Sequence, residues 1–509
     1  MSPFENPSTP DSPPPTTPCP PELPPPPASL HASLLGRSLQ PNLVREDLHR
    51  ALDAALDALE SADGAVGSSR RDHTPQSIRE ALERIDLDAP TTFDAALSEL
   101  DSIWLSRAVW YHDPRYLAHL NCPVAAPAVA AALMTAVVNT AVESWDQSTA
   151  AAAIEQKLIG WLARLIGFNA AEAPASGAEA DGCFSSGGTQ SNLHALALAR
   201  NKAWSSGAKL SELRFITSPY THYSVARAAS LLGLEAESVL VVATDPLGRL
   251  LPRQVEQTIR TEQEAGATVA AVVATAGTTD RGSIDPLRQI ATVTRALGVH
   301  LHVDAAYGGA LLCDQATRDR LDGIALADTV TIDLHKGFFV PVACSALIAR
   351  ERSDLELAGV HADYLNPQDA LRLNLADKSL QTTRRFDSLK LWLLLRTLPA
   401  EEIGRALQRC CALTQLAADR LAVHPRFELF ERPQLSTVLF RPATMAGEPQ
   451  RLGQLRQMLF DSGALAVAST VIGGDSWLKF TLLDPTLTED DIAHAIETID
   501  ACALSLTAS

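Results

Sequence analysis

Two short runs between residues 299 and 336 carry residue types that fit one chemistry. The first is Val299-His300-Leu301-His302-Val303-Asp304-Ala305-Ala306-Tyr307, and the second is Thr329-Val330-Thr331-Ile332-Asp333-Leu334-His335-Lys336. Each is an apolar, β-branched run that ends abruptly in charged residues. Buried parallel strands look like this when their carboxyl ends open onto a site. In open α/β sheets, ligands sit outside those ends. An acid at one end and a lysine at the next are what pyridoxal 5'-phosphate requires. The lysine condenses with its aldehyde, and the acid pairs with the pyridinium nitrogen. Taken singly, an Asp after a strand is equally a turn or cap residue, and a Lys a surface residue. The pair gains meaning only from its surroundings.

Those surroundings hold further groups of the same kind. Cys183-Phe184-Ser185-Ser186-Gly187-Gly188-Thr189-Gln190-Ser191-Asn192 is a Gly-rich turn that feeds an Ala/Leu helix, read here as Leu193–Trp204. Such a turn offers free backbone N–H groups and a favourable dipole to an anion. Ser186, Gly187, Gly188 and Thr189 are therefore the candidate phosphate cradle. No Gly-Lys-Ser/Thr follows, so this is not a nucleotide P-loop. His222 stands at a helix start after a strand, and Thr278 follows another strand. His222 suits stacking on the cofactor ring, with Ala306 small enough for the opposite face. Asp304 suits the pyridine nitrogen, and Lys336 the aldehyde. His335, beside Asp333, is in reach of the phosphate or the lysine.

The elements that must position these groups alternate from residue 213 to 350. Strands are expected at Leu213–Thr217, Ser238–Ala243, Val269–Thr275, His300–Val303, Thr329–Ile332 and Cys344–Ala349, with helices between them. The pattern predicts an α/β fold with a mostly parallel, doubly wound sheet. Around it, four regions are expected. Residues 1–28 are a Pro-rich tail too poor in apolar surface to order. Residues 29–120 form an N-terminal helical extension, with a capping box read at Ser77–Glu80. Residues 121–398 make the large cofactor-binding domain, in which Pro123–Val142 reads as a buried helix. Residues 399–509 make a smaller α/β domain, with a hairpin turning at Gly473-Gly474-Asp475.

Composition narrows the class. The chain has 509 residues, 46% hydrophobic and 20% charged, which is the make-up of a globular protein. The net charge of −18 argues against nucleic-acid or anionic-membrane partners, which call for basic patches. No strongly apolar run of spanning length and no signal-peptide pattern is present. The eight cysteines show no C-x-x-C spacing, which points to a reducing, cytoplasmic setting without disulfides or a metal site.

The motifs Phe184–Thr189, Thr221-His222-Tyr223-Ser224, His302–Tyr307 and Asp333–Lys336 together resemble the group II pyridoxal-phosphate-dependent amino acid decarboxylases. The resemblance covers about residues 78–505. Further runs, among them Pro114–Pro123, Ser144–Ser148, His361–Asn366, Asp377–Asp387 and Leu478–Pro485, are similar to the branch acting on lysine and 2,4-diaminobutyrate in siderophore pathways. The resemblance implies the type I fold of pyridoxal-phosphate-dependent transferases. It also implies a homodimer with active sites at the interface, and loss of carbon dioxide from an L-amino acid. The expected substrate is a diamino acid: lysine first, then 2,4-diaminobutyrate or ornithine. The family carries a loop tyrosine that returns a proton to the substrate, and Tyr364 stands in that region. Arg384 and Arg385 read either as carboxylate binders or as a helix-flanking ion pair. After Lys336 this branch has Leu-Phe-Trp-Gln-Pro where this chain has Gly337-Phe338-Phe339-Val340-Pro341, so these positions are expected to bear on substrate choice. Rival readings are a decarboxylase of aromatic or acidic amino acids, an aminotransferase or lyase of the same fold, and a catalytically dead scaffold.

Overall fold

The computed structural model describes residues 35, 40–60, 74–168, 179–359 and 374–508. Its centre is a seven-stranded sheet built from β1 (Asp181–Ser185), β2 (Leu213–Thr217), β3 (Val239–Val241), β4 (Thr268–Thr275), β5 (His300–Asp304), β6 (Thr329–Asp333) and β7 (Ser345–Ala349). The order is β1-β7-β6-β5-β4-β2-β3. Only β7 runs against the others, pairing antiparallel with both β1 and β6. The carboxyl ends of β1, β2, β4, β5 and β6 therefore share one edge. Every residue of β1, β5, β6 and β7 is buried, as near-continuous Val, Ile, Leu and Ala runs require when helices cover both faces.

Five of the expected strands appear within one residue of their predicted bounds, and Val239–Val241 is a shortened form of the sixth. β1 was not expected. Its Asp-Gly-Cys-Phe-Ser sequence has no β-branched residue and no alternation, and it is held by its register with β7. The helix after the Gly-rich turn is Gly188–Ser205, so it begins five residues before the expected Leu193. The Gly-Gly-Thr-Gln-Ser-Asn stretch reads as a turn by propensity, yet it forms the first turn of that helix.

A second, four-stranded antiparallel sheet holds β8 (Phe427–Leu429), β9 (Thr437–Pro442), β10 (Ala468–Ile472) and β11 (Asp475–Thr481), in the order β10-β11-β9-β8. The hairpin at Gly473-Gly474 is as expected, with both glycines at positive φ. Helices Ala400–Val423, Pro449–Asp461 and Glu489–Ala508 enclose its core. Residues from the N-terminal side join this unit. Leu117 donates to Ala466 and accepts from Thr481 through the backbone. The Tyr307 hydroxyl links the two sheets, lying 2.8 Å from Ser436 Oγ.

Two expectations near the N-terminus need correction. The helix Pro75–Glu83 is capped by Thr74, whose hydroxyl accepts from Ser77 N–H, so Ser77 is not the cap. Pro75 at the first helical position explains the earlier start. The helix within Pro123–Val142 is Ala126–Val138, and it is not buried all round. Ala128, Ala131 and Thr135 face the core, whereas Val129, Leu133, Met134, Val137 and Val138 are exposed. The Pro-rich tail lies outside the described residues. Among the described residues, no helix is long and apolar enough to cross a membrane.

Candidate active site

The shared carboxyl edge opens on a cavity of about 380 Å3. That is the size range in which small molecules and cofactors are held. The loop after β1 brings Ser186, Gly187, Gly188 and Thr189 to it. The loop after β2 brings His222, β5 brings Asp304 and Ala306, and β6 brings Asp333, His335 and Lys336. Ten of the residues singled out in the sequence thus line one cavity, from four separate strand ends.

The acid and the lysine are placed differently from each other. Lys336 Nζ lies 2.9 Å from Asp333 Oδ2, which also has His335 Nε2 at 3.6 Å. Asp333 Oδ1 is buried and has no hydrogen-bond partner. Asp304 has both oxygens engaged: Oδ1 accepts from Ala306 N–H at 3.0 Å and Oδ2 from Asn192 Nδ2 at 2.8 Å. Hydrogen bonds of this charge-assisted kind hold a carboxylate in one orientation, each contributing roughly 1.5–3 kcal/mol. Burial pushes the His222 imidazole below its ordinary value, against the opposing pull of Asp304, so the ring is neutral near pH 7. Its Nδ1 lies 2.8 Å from Ser224 Oγ.

The chain fits pyridoxal phosphate on observations of its own. A methyl group added at Gly188 would come within 3.1 Å of the Asp333 carboxylate and 3.3 Å of Ala306 Cβ, so any side chain there would crowd the cavity wall. The first N–H groups of an 18-residue helix have no intrahelical acceptors and are open to an anion. The cavity also offers a part-buried lysine, an unpartnered carboxylate oxygen and a neutral imidazole. Pyridoxal phosphate is the cofactor these groups suit. Lys336 would hold its aldehyde, Asp304 its ring nitrogen, and residues 186–189 its phosphate.

Other singled-out residues lie elsewhere. Thr278 is fully buried behind the wall, where its hydroxyl accepts from Ser283 N–H, and its neighbour Thr279 lines the cavity instead. The tight turn at Gly277 and Gly282, both at positive φ, turns Thr278 inward. Gly337, Phe338, Phe339 and Val340 do not line the cavity. Gly337 packs so closely that an added Cβ would sit 2.9 Å from Ala310 Cβ, and Phe338 and Val340 are buried in the core. Phe339, at positive φ, borders a separate apolar cavity with Pro123 and Leu394. Within this chain, the four residues after Lys336 pack into the core or border that second cavity. Arg384 is buried, 2.7 Å from Glu155, and donates to Phe184 O. Arg385 donates to Ala132 O and Thr135 Oγ1. Tyr364 lies outside the described residues.

Sequence reasoning missed Gln190, Asn192, Tyr223, Thr275, Thr279 and Tyr307, all of which line the cavity. One signal was available. His300, His302 and Asp304 alternate along β5 and so share one face of the sheet. The helix Gly188–Ser205 covers that face.

Comparison with known proteins agrees with this geometry. Residues 75–443, more than half of the chain, match the family described as the pyridoxal-dependent decarboxylase conserved domain. The L-2,4-diaminobutyrate decarboxylase of Rhizobium meliloti (strain 1021) is 36% identical over 472 residues, covering 91% of this chain and 93% of that protein. The cysteine sulfinic acid decarboxylase of Mus musculus is 31% identical over 402 residues, covering 74% of this chain and 80% of that protein. Among solved structures, the glutamate decarboxylase domain of diaminobutyrate-pyruvate transaminase and L-2,4-diaminobutyrate decarboxylase from Vibrio parahaemolyticus superposes with a TM-score of 0.84. It is 28% identical, with 94% of this chain and 99% of that chain covered.

Proposed function

The chain belongs to the pyridoxal-dependent decarboxylase family and is a pyridoxal-phosphate-dependent amino acid carboxy-lyase; we propose that its substrate is a diamino acid, released as a diamine. The observation that carries the reading is the meeting of Lys336, Asp304, His222 and the 186–189 cradle in one cavity. When bound, pyridoxal phosphate supplies an aldehyde that captures the substrate amine and a ring that takes up the electron pair left by departing carbon dioxide.

The chain's own residues have separable roles in this proposal. Gly187, Gly188 and Thr189 bind the phosphate at the helix N-terminus. Asp304 fixes the ring nitrogen in its protonated form. His222, neutral, covers one ring face, and Ala306 leaves room at the other. Lys336 would hold the cofactor's aldehyde carbon, with Asp333, 2.9 Å from its Nζ, orienting the amine. Closure of the cavity to water favours return of the proton to the substrate carbon. Tyr364 is proposed as the donor of that proton.

Substrate choice within the diamino class rests on relatives. The L-2,4-diaminobutyrate decarboxylases of Rhizobium meliloti and Acinetobacter baumannii, 36% and 33% identical, move 2,4-diaminobutyrate ahead of lysine and ornithine as the first amino acid to test. Incubating the purified holoenzyme with each of these, and with glutamate and cysteine sulfinate, then identifying products by mass, tests the proposal. A diamine with one equivalent of carbon dioxide is expected. An acidic amino acid as the best substrate overturns it.

We also propose a homodimer with active sites at its interface. Its support is the apolar stripe Val129, Leu133, Met134, Val137 and Val138, with the exposed leucines 43, 48, 52, 56 and 59 of the helix Pro41–Glu60. Monomers rarely leave such faces open. A cytoplasmic setting is supported by seven free cysteines among the described residues. Supply of the diamine to siderophore assembly is the proposed pathway role.

A further inference from the structure

We infer that Asn192 and His302 are positioning residues that together fix the orientation of Asp304 and the tautomer of His222. The inference rests on the roles proposed for Asp304 and His222. Donor and acceptor chemistry settles every bond in the chain that links them. The Asp304 Oδ2 atom, a carboxylate oxygen, can only accept, so the Asn192 atom 2.8 Å away must be its Nδ2. The same amide nitrogen lies 3.0 Å from Ser224 Oγ and donates its second proton there. Ser224 Oγ then has its own proton free for His222 Nδ1, at 2.8 Å, and Ser224 N–H reaches the same nitrogen at 3.3 Å. His222 Nδ1 is thus an acceptor twice over, and the imidazole proton is left on Nε2.

The other side of the amide is equally determined. Asn192 Oδ1 can only accept, so His302 Nε2, 3.0 Å away, carries a proton. His302 Nδ1 must then accept from Thr329 Oγ1, also at 3.0 Å, and Thr329 Oγ1 in turn accepts from His300 Nε2 at 3.0 Å. All of these groups are buried except His222, which is part-buried. Complete burial pushes the His302 imidazole down to about 3, so it stays neutral and keeps this single tautomer across the working pH range. Without His302, Asn192 Oδ1 is left buried without a donor, and the amide loses the contact that anchors it on the side away from Asp304.

Asn192→Asp is the decisive variant, because it keeps the shape and replaces the amide by a carboxyl. The introduced carboxyl faces Asp304 and His302 on β5, with His222 on the adjoining loop and Asp333 and Lys336 beyond β6. Protonated, it can donate to Asp304 as the amide does. Ionised, it sets a like charge against Asp304. Pyridoxal phosphate affinity of the cofactor-free protein is measured by fluorescence titration across pH, as the ratio of variant to wild type. At about pH 5.5 the ratio is expected to stay near one, and at about pH 8.5 the variant is expected to bind about tenfold or more weakly, the effect of a shift of one pKa unit. A ratio that does not change with pH overturns the inference.

Two further variants separate positioning from folding. His302→Leu is expected to weaken cofactor binding about tenfold at every pH, and His302→Gln, whose amide can donate to Asn192 and accept from Thr329, to restore most of it. A folded His302→Gln protein as weak as His302→Leu overturns the hydrogen-bonding role. Asp304→Asn keeps the two failures apart. If it binds cofactor like wild type, the reading of Asp304 itself is wrong. If it is impaired while Asn192→Asp follows wild type at every pH, only the positioning inference falls.

Discussion

At the carboxyl edge of the seven-stranded sheet, polar groups lie inside and are paired. Asp304, Asn192, His302 and Thr329 are all buried and all hydrogen-bonded. On the helices Pro41–Glu60 and Ala126–Val138, apolar groups lie outside and are uncovered. Both regions depart from the usual partition of residues, in opposite directions, and those departures are the informative ones. A buried polar group costs stability unless its partners are exact in geometry, so its presence points to chemistry. An exposed apolar face loses the roughly 1.5–3 kcal/mol that burying each large side chain would contribute, so its presence points to a partner. Around Asp304 the polar groups find their partners within one chain, whereas the helical faces are not complete in their packing.

The largest effect should come from removing the one amine at the site. Lys336→Ala is expected to eliminate turnover and the visible absorbance band of the bound cofactor, with little change in folding. Lys336 is part-buried, and its ammonium pairs with Asp333. A variant that keeps the wild-type spectrum would remove the site from the buried-polar side of the comparison.

Arg384 tests whether burial of a polar pair there can be structural alone. Its guanidinium and the Glu155 carboxylate are both almost fully inaccessible. Arg384→Leu strands a buried carboxylate and should cost about 3–5 kcal/mol in denaturant unfolding. The double variant with Glu155→Leu should recover much of that. If single and double variants are equally unstable, the contact to Phe184 O matters more than the charge pair.

The same contrast explains what the sequence disclosed. Apolar, β-branched runs ending in charged residues disclosed the sheet and the strand ends that meet at the cavity, because strands buried on both faces read as short continuous apolar runs. β1 was invisible because its Asp-Gly-Cys-Phe-Ser run is held by pairing with β7, a contact 160 to 168 residues away in sequence. Asn192 reads as the end of a Gly-rich turn, because the first turn of its helix has turn-forming residues. Its role exists only where that helix meets β5. That Thr279 and not Thr278 borders the cavity depends on the hand of the turn, which cannot be read from two adjacent threonines. Gly337 was expected to bear on substrate choice by its place next to Lys336, and only the 2.9 Å approach of Ala310 shows how closely it packs against the core.

Acid should act on the buried side of the comparison next. Burial lowers His302 to about 3 and His194 to about 4, from an ordinary histidine value near 6.5. As pH falls, the unfolded chain takes up these protons first. The stability from neutral burial is therefore present above about pH 6.5 and is lost as pH drops towards 4. Each histidine should contribute a loss of about 1.4 kcal/mol per pH unit, or about 2 kcal/mol between pH 6.5 and 5. Urea unfolding of wild type and His302→Gln at the two pH values checks this. The variant should show a shallower fall, and an identical fall would mean that His302 is charged in the folded chain.

The smallest change in the folded chain itself should come from the uncovered side. Leu133 is nearly half exposed and Leu52 about as much, so Leu133→Asp or Leu52→Asp removes little packing within one chain. Surface substitutions of this kind usually stay within about 0.5 kcal/mol. If a second copy covers these faces, the introduced charge would be buried without a partner, and association should fail although the fold survives. Sedimentation velocity should then show a monomer where wild type is a dimer. Activity should fall with it, because active sites at the interface need both copies. A variant that remains dimeric and active would place the partner surface away from these helices. Their apolar stripes would then need another occupant, since nothing in the chain's own described residues covers them.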